Sequence, residues 1–168
     1  MADDDRTAET RDVVTRYFAT VTARDVDAQA AMWKPGALGR IVGLADLVAP
    51  GDVRAYFTTL YAAFPDWDFQ VTDMIVDGSR AAVSWTATAT FAGPGHFQGL
   101  RPTGAKVSLE GVDVAEVQDG QMVGNTAYVD GATIARQLGA MPPDGSFPER
   151  ALKAALNAKV AVAERLKR

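Results

Sequence analysis

From Glu9 to Ala23, "ETRDVVTRYFATVTA" places Val13, Val14, Tyr17, Phe18 and Val21 on one stripe, the spacing of an amphipathic helix. "RDVDAQAAMW" continues as a second helix, with Asp25 placed to cap it and Pro35-Gly36 placed to stop it. "ALGRIVGL" reads as a short strand or irregular chain. "PGDVRAYFTTLYAAF" is a third amphipathic helix, with Val53, Phe57, Leu60 and Tyr61 spaced for burial and Pro65 ending it. Beyond Pro65 the period changes from 3.6 to 2. "WDFQVTDMIV" alternates, and Asp77-Gly78 turns the chain. "RAAVSWTATATF" is rich in the Thr, Val and aromatic residues that strands favour. "AGPGHFQGLRPTG" reads as a loop. "AKVSLEGVDVAEV" and "MVGNTAYVD" are further strands joined by a "QDGQ" hairpin turn. "ATIARQLG" is a short helix ended by Gly139. A last helix over 147–167 opens with Ser146 and Glu149 in capping-box spacing. Three helices followed by a strand meander predict an α+β fold, with helices on one face of an antiparallel sheet.

The length, 168 residues, suits one domain with its own core. Residues 1–8 are expected to be disordered, 9–145 to form the domain, and 146–168 to be a C-terminal helical extension. No apolar run approaches the roughly 18 residues a membrane span needs. The acidic start "MADDDRTAET" lacks the apolar core of a secretory signal. Cysteine is absent, which excludes disulfides and thiolate sites and fits a reducing cytoplasm. With one histidine, His96, a multi-histidine zinc site is excluded, and no Ser-His-Asp arrangement can be defended. Net charge is −4, and residues 147–168, with six Lys/Arg against Glu149 and Glu164, carry +4, leaving −8 elsewhere. An acidic body disfavours nucleic acid as a partner. The basic tail reads as a solvated helix face.

Three stretches carry a family resemblance: "GDVRAYFTTLYAAFPDWDFQV", "GHFQGLRPTGAKV" and "GVDVAEVQDGQMVGNTAYVDGATIARQLG". Over residues 9–145 the chain resembles the SnoaL-like polyketide cyclases of the nuclear transport factor 2-like superfamily. The resemblance implies a cone-shaped α+β fold, with a curved antiparallel sheet wrapped around three N-terminal helices. It implies an acid/base aspartate at the end of the last strand, a position matching Asp130. "VVTRYFATVTARDVDAQAAMW" is also similar to the first two helices of ketosteroid isomerases. That likeness matches Tyr17, and Asp113 in "GVDVAEV", to oxyanion donors. It departs after the second helix, where "KPGALGRIVG" holds no carboxylate.

A register for the hairpin follows from its turn. If Asp119-Gly120 is a two-residue loop, Gln118 pairs with Gln121, Asp113 faces Thr126 and Leu109 faces Asp130. Val107, Leu109, Asp113, Thr126, Tyr128 and Asp130 then share the face toward the helices and a pocket. Glu110, Val112, Val114, Glu116, Val123, Asn125, Ala127 and Val129 share the outer face, expected to join a partner subunit as a homodimer. Asp113 and Asp130 would stand roughly 13 Å apart on one face, at opposite ends of a substrate with Tyr128 between them.

Each candidate has a structural alternative. Asp130 is either an acid/base group or the N-cap of the following helix. Asp113 either donates as a neutral acid in an apolar site or is paired with an arginine or a backbone amide. Tyr17 is an oxyanion donor or a satisfied core tyrosine. Trp33, Phe57, Trp85 and Tyr61 are pocket wall or core. His96 is a loop residue or part of a lid. The expected activity is cofactor-free and metal-free acid/base chemistry of cyclase or isomerase type on a small, apolar, carbonyl-containing polyketide- or terpenoid-like molecule. Asp130 would move the proton, Tyr17 and Asp113 would hold the oxyanion, and Trp33, Phe57, Trp85 and Tyr128 would hold the substrate. The alternatives are an epoxide hydrolase, or a domain that binds a hydrophobic ligand or scaffolds other proteins without turnover.

Overall fold

The computed structural model describes residues 3–166. Helix α1 (Asp3–Ala23) and helix α2 (Val26–Ala31) are followed by strands β1 (Trp33–Ile41) and β2 (Ala45–Val48) and helix α3 (Gly51–Ala63). Strands β3 (Asp68–Asp77), β4 (Arg80–Thr90), β5 (Lys106–Gln118) and β6 (Gln121–Val129) come next, then helices α4 (Gly131–Gln137) and α5 (Phe147–Leu166). The six strands form one sheet in the order β2-β1-β6-β5-β4-β3. Neighbours are antiparallel except β1 and β6, which run parallel. No helix among the described residues is long and apolar enough to cross a membrane.

The apolar stripe of α1 does what its spacing predicts. Val13, Val14, Tyr17, Phe18 and Val21 are all buried, each contributing about 1.5–3 kcal/mol of transfer free energy at most. They pack with Trp33, Val53, Phe69, Val83 and Trp85 into a core between α1, α3 and one sheet face. A second cluster, built on Leu60, Phe64, Phe91, Phe97, Ile134 and Leu138, closes the other end.

Two expectations about the elements are corrected, and one unassigned stretch proves to be a strand. Helix α1 starts at Asp3, so residues 3–8 are helical rather than disordered; residues 1–2 lie outside the described range. Pro35-Gly36 does not end α2, which stops at Ala31; both residues lie within β1, where Gly36 takes a positive φ of 83°. Residues 45–48 form β2, a strand too short to show a period.

The hairpin register is corrected as well. Asp119 and Gly120 both have positive φ, 52° and 72°, and Gln118 pairs with Gln121 as expected. One residue further in, the ladder slips: Val117 pairs with Met122 but Glu116 pairs with Gly124. The extra residue, Val123, makes a β-bulge, and beyond it every β6 side chain changes face relative to β5. Asp113 therefore pairs with Ala127, and Val112 with Tyr128. Asn125, Ala127 and Val129 turn inward, whereas Thr126, Tyr128 and Asp130 do not.

Candidate active site

Between α1, α3, α4 and the inner sheet face lies a cavity of about 100 Å³. Its walls are aromatic and aliphatic, including Phe18, Trp33, Phe57, Phe69, Trp85 and Ile134. The charged side chains that line it are Asp113 and Arg40. Arg40 is exposed and lies 3.5 Å from Asp46. Asp113 is only 7% exposed.

Glycines shape the floor. Gly111 on β5 pairs with Trp85 on β4. A Cβ at position 111 would fall 2.4 Å from Trp85 Cζ2, so the missing side chain is what lets the indole lie across β5. The ring then reaches Asp113, two residues along, and Nε1 donates to Asp113 Oδ1 at 2.7 Å. From β6, Asn125 Nδ2 donates to Asp113 Oδ2 at 2.6 Å. Gly39 on β1 plays the same part for Trp33, whose ring passes 3.3 Å from where a Cβ at position 39 would sit. Gly39 is the strand partner of Asn125.

Burial of Asp113 pushes its carboxyl above the ordinary carboxylate range, outweighing the opposing hydrogen bonds from Asn125 and Trp85. The Tyr17 hydroxyl accepts from Gln29 Nε2 at 3.2 Å, which leaves its own proton free to be donated. Burial also raises the Tyr17 phenol well above its usual value. Gln29 opposes the rise, the nearby Asp113 adds to it, and Trp33 opposes it. Trp33 Nε1 faces that phenol without hydrogen-bonding geometry and has no partner. Tyr56, also on the cavity wall, is pushed up to about 12 by burial. Among the described residues no group of three or more His, Cys, Asp or Glu is placed to hold a metal ion.

Of the sequence candidates, the fold brings Tyr17, Trp33, Phe57, Trp85 and Asp113 to one cavity. Asp130 and Tyr128 are not there. Asp130 is exposed and caps α4: Oδ1 accepts from Ala132 N at 2.9 Å and Thr133 N at 3.1 Å, and Oδ2 accepts from Thr133 Oγ1 at 2.6 Å. Those bonds, led by the Thr133 hydroxyl, hold its carboxyl below the usual range. Tyr128 is 54% exposed on the outer face. The pairing of Asp113 and Asp130 across one substrate is thus overturned, and the cause is the bulge at Val123. Tyr61 is core: its hydroxyl donates to Val21 O at 3.3 Å. His96 is exposed, and its neighbour Phe97 lines the cavity instead. Asn125 was missed because the unbulged register put it outside.

The SnoaL-like polyketide cyclase family model matches residues 11–138. The chain belongs to the SnoaL-like polyketide cyclases. Solved structures bear out the fold. AclR from Streptomyces galilaeus is 22% identical, covers 96% of this chain and 99% of its own, and superimposes with a TM-score of 0.69. A protein assigned to the SnoaL-like polyketide cyclases from Jannaschia sp. CCS1 is 21% identical, with 82% and 96% coverage and a TM-score of 0.72. TsrD from Streptomyces laurentii is 21% identical, with 80% and 97% coverage and a TM-score of 0.67. Among curated proteins none matches the chain. The fold is accordingly the nuclear transport factor 2-like cone, and membership of the SnoaL-like family supports a cyclase-type enzyme acting on a small molecule.

Proposed function

We propose that this SnoaL-like protein catalyses proton transfer next to a carbonyl on a small, largely apolar polyketide- or terpenoid-like molecule, with Asp113 as the acid/base. The observation that carries the reading is a single carboxylate, desolvated at the floor of an aromatic cavity and oriented by two fixed donors. Burial brings a carboxyl closer to neutrality, where it can both take and return a proton. In its ionised form Asp113 accepts a proton from the carbon beside the carbonyl. The bonding pair moves to form an enolate, whose oxygen accepts a hydrogen bond from the Tyr17 hydroxyl. Asp113 then returns the proton to that carbon, or to an oxygen elsewhere on the molecule after ring closure. Tyr17 stays protonated throughout, since burial holds its pKa high.

The test is deuterium exchange in D2O, followed by NMR, at carbons beside the carbonyl in a panel of cyclic and aromatic ketones. The wild type is expected to accelerate exchange. Asp113→Asn is expected to lose about 10²–10⁴-fold, and Tyr17→Phe about 10²–10³-fold. Exchange that survives intact in Asp113→Asn would remove the mechanism.

A further inference from the structure

Three residues that line the cavity carry a buried polar atom that nothing in the protein satisfies, Trp33 Nε1, Trp67 Nε1 and Asn125 Oδ1, and Trp33 and Asn125 belong to the floor beside Asp113 and Tyr17. Trp33 is only 3% exposed. Neither orientation is accidental. An ionised carboxylate can only accept, so the Asn125 amide must present Nδ2 to Asp113, at 2.6 Å. That leaves its oxygen pointing elsewhere. The Trp33 indole is packed between Tyr17, at a ring separation of 5.9 Å, and Gly39. Gly39 is the strand partner of Asn125, so the orphaned donor and the orphaned acceptor belong to adjacent positions of the floor. Buried groups left unpaired are costly, and native proteins pair nearly all of them.

We propose that the cavity selects a ligand carrying a hydroxyl group at its buried end. The hydroxyl hydrogen goes to Asn125 Oδ1, and Trp33 Nε1 donates to an oxygen at that same end. This rests on the reading of the cavity as the ligand site. A ketone without a hydroxyl satisfies Trp33 but leaves Asn125 Oδ1 unpaired. A hydrocarbon satisfies neither and leaves both unpaired. An ammonium group would have to shed its hydration in a largely apolar cavity. The ligand class is therefore an alcohol, phenol or enol on an apolar skeleton.

The probes are 2-naphthol and 2-methylnaphthalene, which differ by a hydroxyl against a methyl of similar size. Affinities are measured by calorimetry for the wild type, Trp33→Phe and Asn125→Val, with circular dichroism to verify folding. Taking both probes on the same protein cancels general loosening of the cavity. Their affinity ratio in favour of the naphthol is expected to fall about tenfold in each variant, the size expected for one lost hydrogen bond to a buried group. Trp33→Phe keeps an aromatic ring while removing the indole N–H and leaves the Asp113–Asn125 contact in place, so it serves even if Asn125→Val fails to fold. A ratio unchanged in a folded variant overturns the proposal. If the wild type binds both probes with no such dependence, only the hydroxyl preference fails. If it binds neither, the cavity reading fails with it.

Discussion

Replacing Asp113 by asparagine should make the protein more stable at neutral pH while it slows proton transfer about 10²–10⁴-fold. The carboxyl is 7% exposed and burial raises its pKa, so the folded state takes up the proton more readily than the unfolded chain does. This group therefore favours folding below the unfolded pKa of ~3.9. That contribution is lost as pH climbs through the raised folded value. In Asp113→Asn the buried charge is gone at every pH. The hydrogen bonds need not be. Trp85 Nε1 can still donate to the amide oxygen at position 113. If the Asn125 amide turns over, its unpaired Oδ1 accepts from the new amide nitrogen. Replacing a buried ion pair by well-packed apolar residues is often neutral or stabilising by about 1–4 kcal/mol, and Asp113, bonded only by uncharged donors, has even less Coulombic attraction to lose. At roughly 2–4 °C per kcal/mol for a chain of this size, the gain is visible in a melting curve. Calorimetric scans of both proteins at pH 8 and pH 4 should show Tm raised at pH 8 and the difference shrinking at pH 4, where wild-type Asp113 is more protonated. A variant destabilised equally at both pH values would mean that the ionised carboxylate holds the strands together, and the argument from desolvation would be wrong.

Trp85→Phe removes the donor to Asp113 Oδ1, which favours the ionised form. The carboxyl pKa should rise further, moving the acidic limb of the pH–rate profile for deuterium exchange to higher pH; an unmoved limb would show that this bond does not tune the group. Asp130→Ala should speed amide hydrogen exchange at Ala132 and Thr133 and leave Asp113-dependent turnover in place. Because the Asp130 carboxyl is held below its usual value, its capping contribution is present above the unfolded pKa and fades as pH falls through the folded one; loss of turnover with α4 intact would restore Asp130 as a site residue. Gly111→Ala would put a methyl 2.4 Å from Trp85 Cζ2 and 2.7 Å from Tyr128 O, and urea titration should show about 1–3 kcal/mol of destabilisation.

Periodicity alone determined most of this fold. A 3.6-residue period marked α1 and α3, a period of 2 marked β3 to β6, and the Asp119-Gly120 turn set the first pair of the hairpin, because these signals are local to the residues that carry them. The same local chemistry raised both readings of Asp130, and its capping role is one the neighbouring amides could announce. The choice between those readings lay in a single extra residue. Gly124 beside Val123 is the one local hint of a bulge, but it does not fix which residue is extra, and that insertion turned Asp130 and Tyr128 outward and Asn125 inward, since side chains along a strand alternate at every step. Seating Trp85 over Gly111 likewise depends on which strands become neighbours, and so does bringing Gly39, with Trp33 packed on it, beside Asn125. The β1–β6 pairing joins segments some 85 residues apart, and no window of sequence contains both. The inventory of side chains was legible in the chain, whereas their assembly around one buried carboxylate was decided by long-range register.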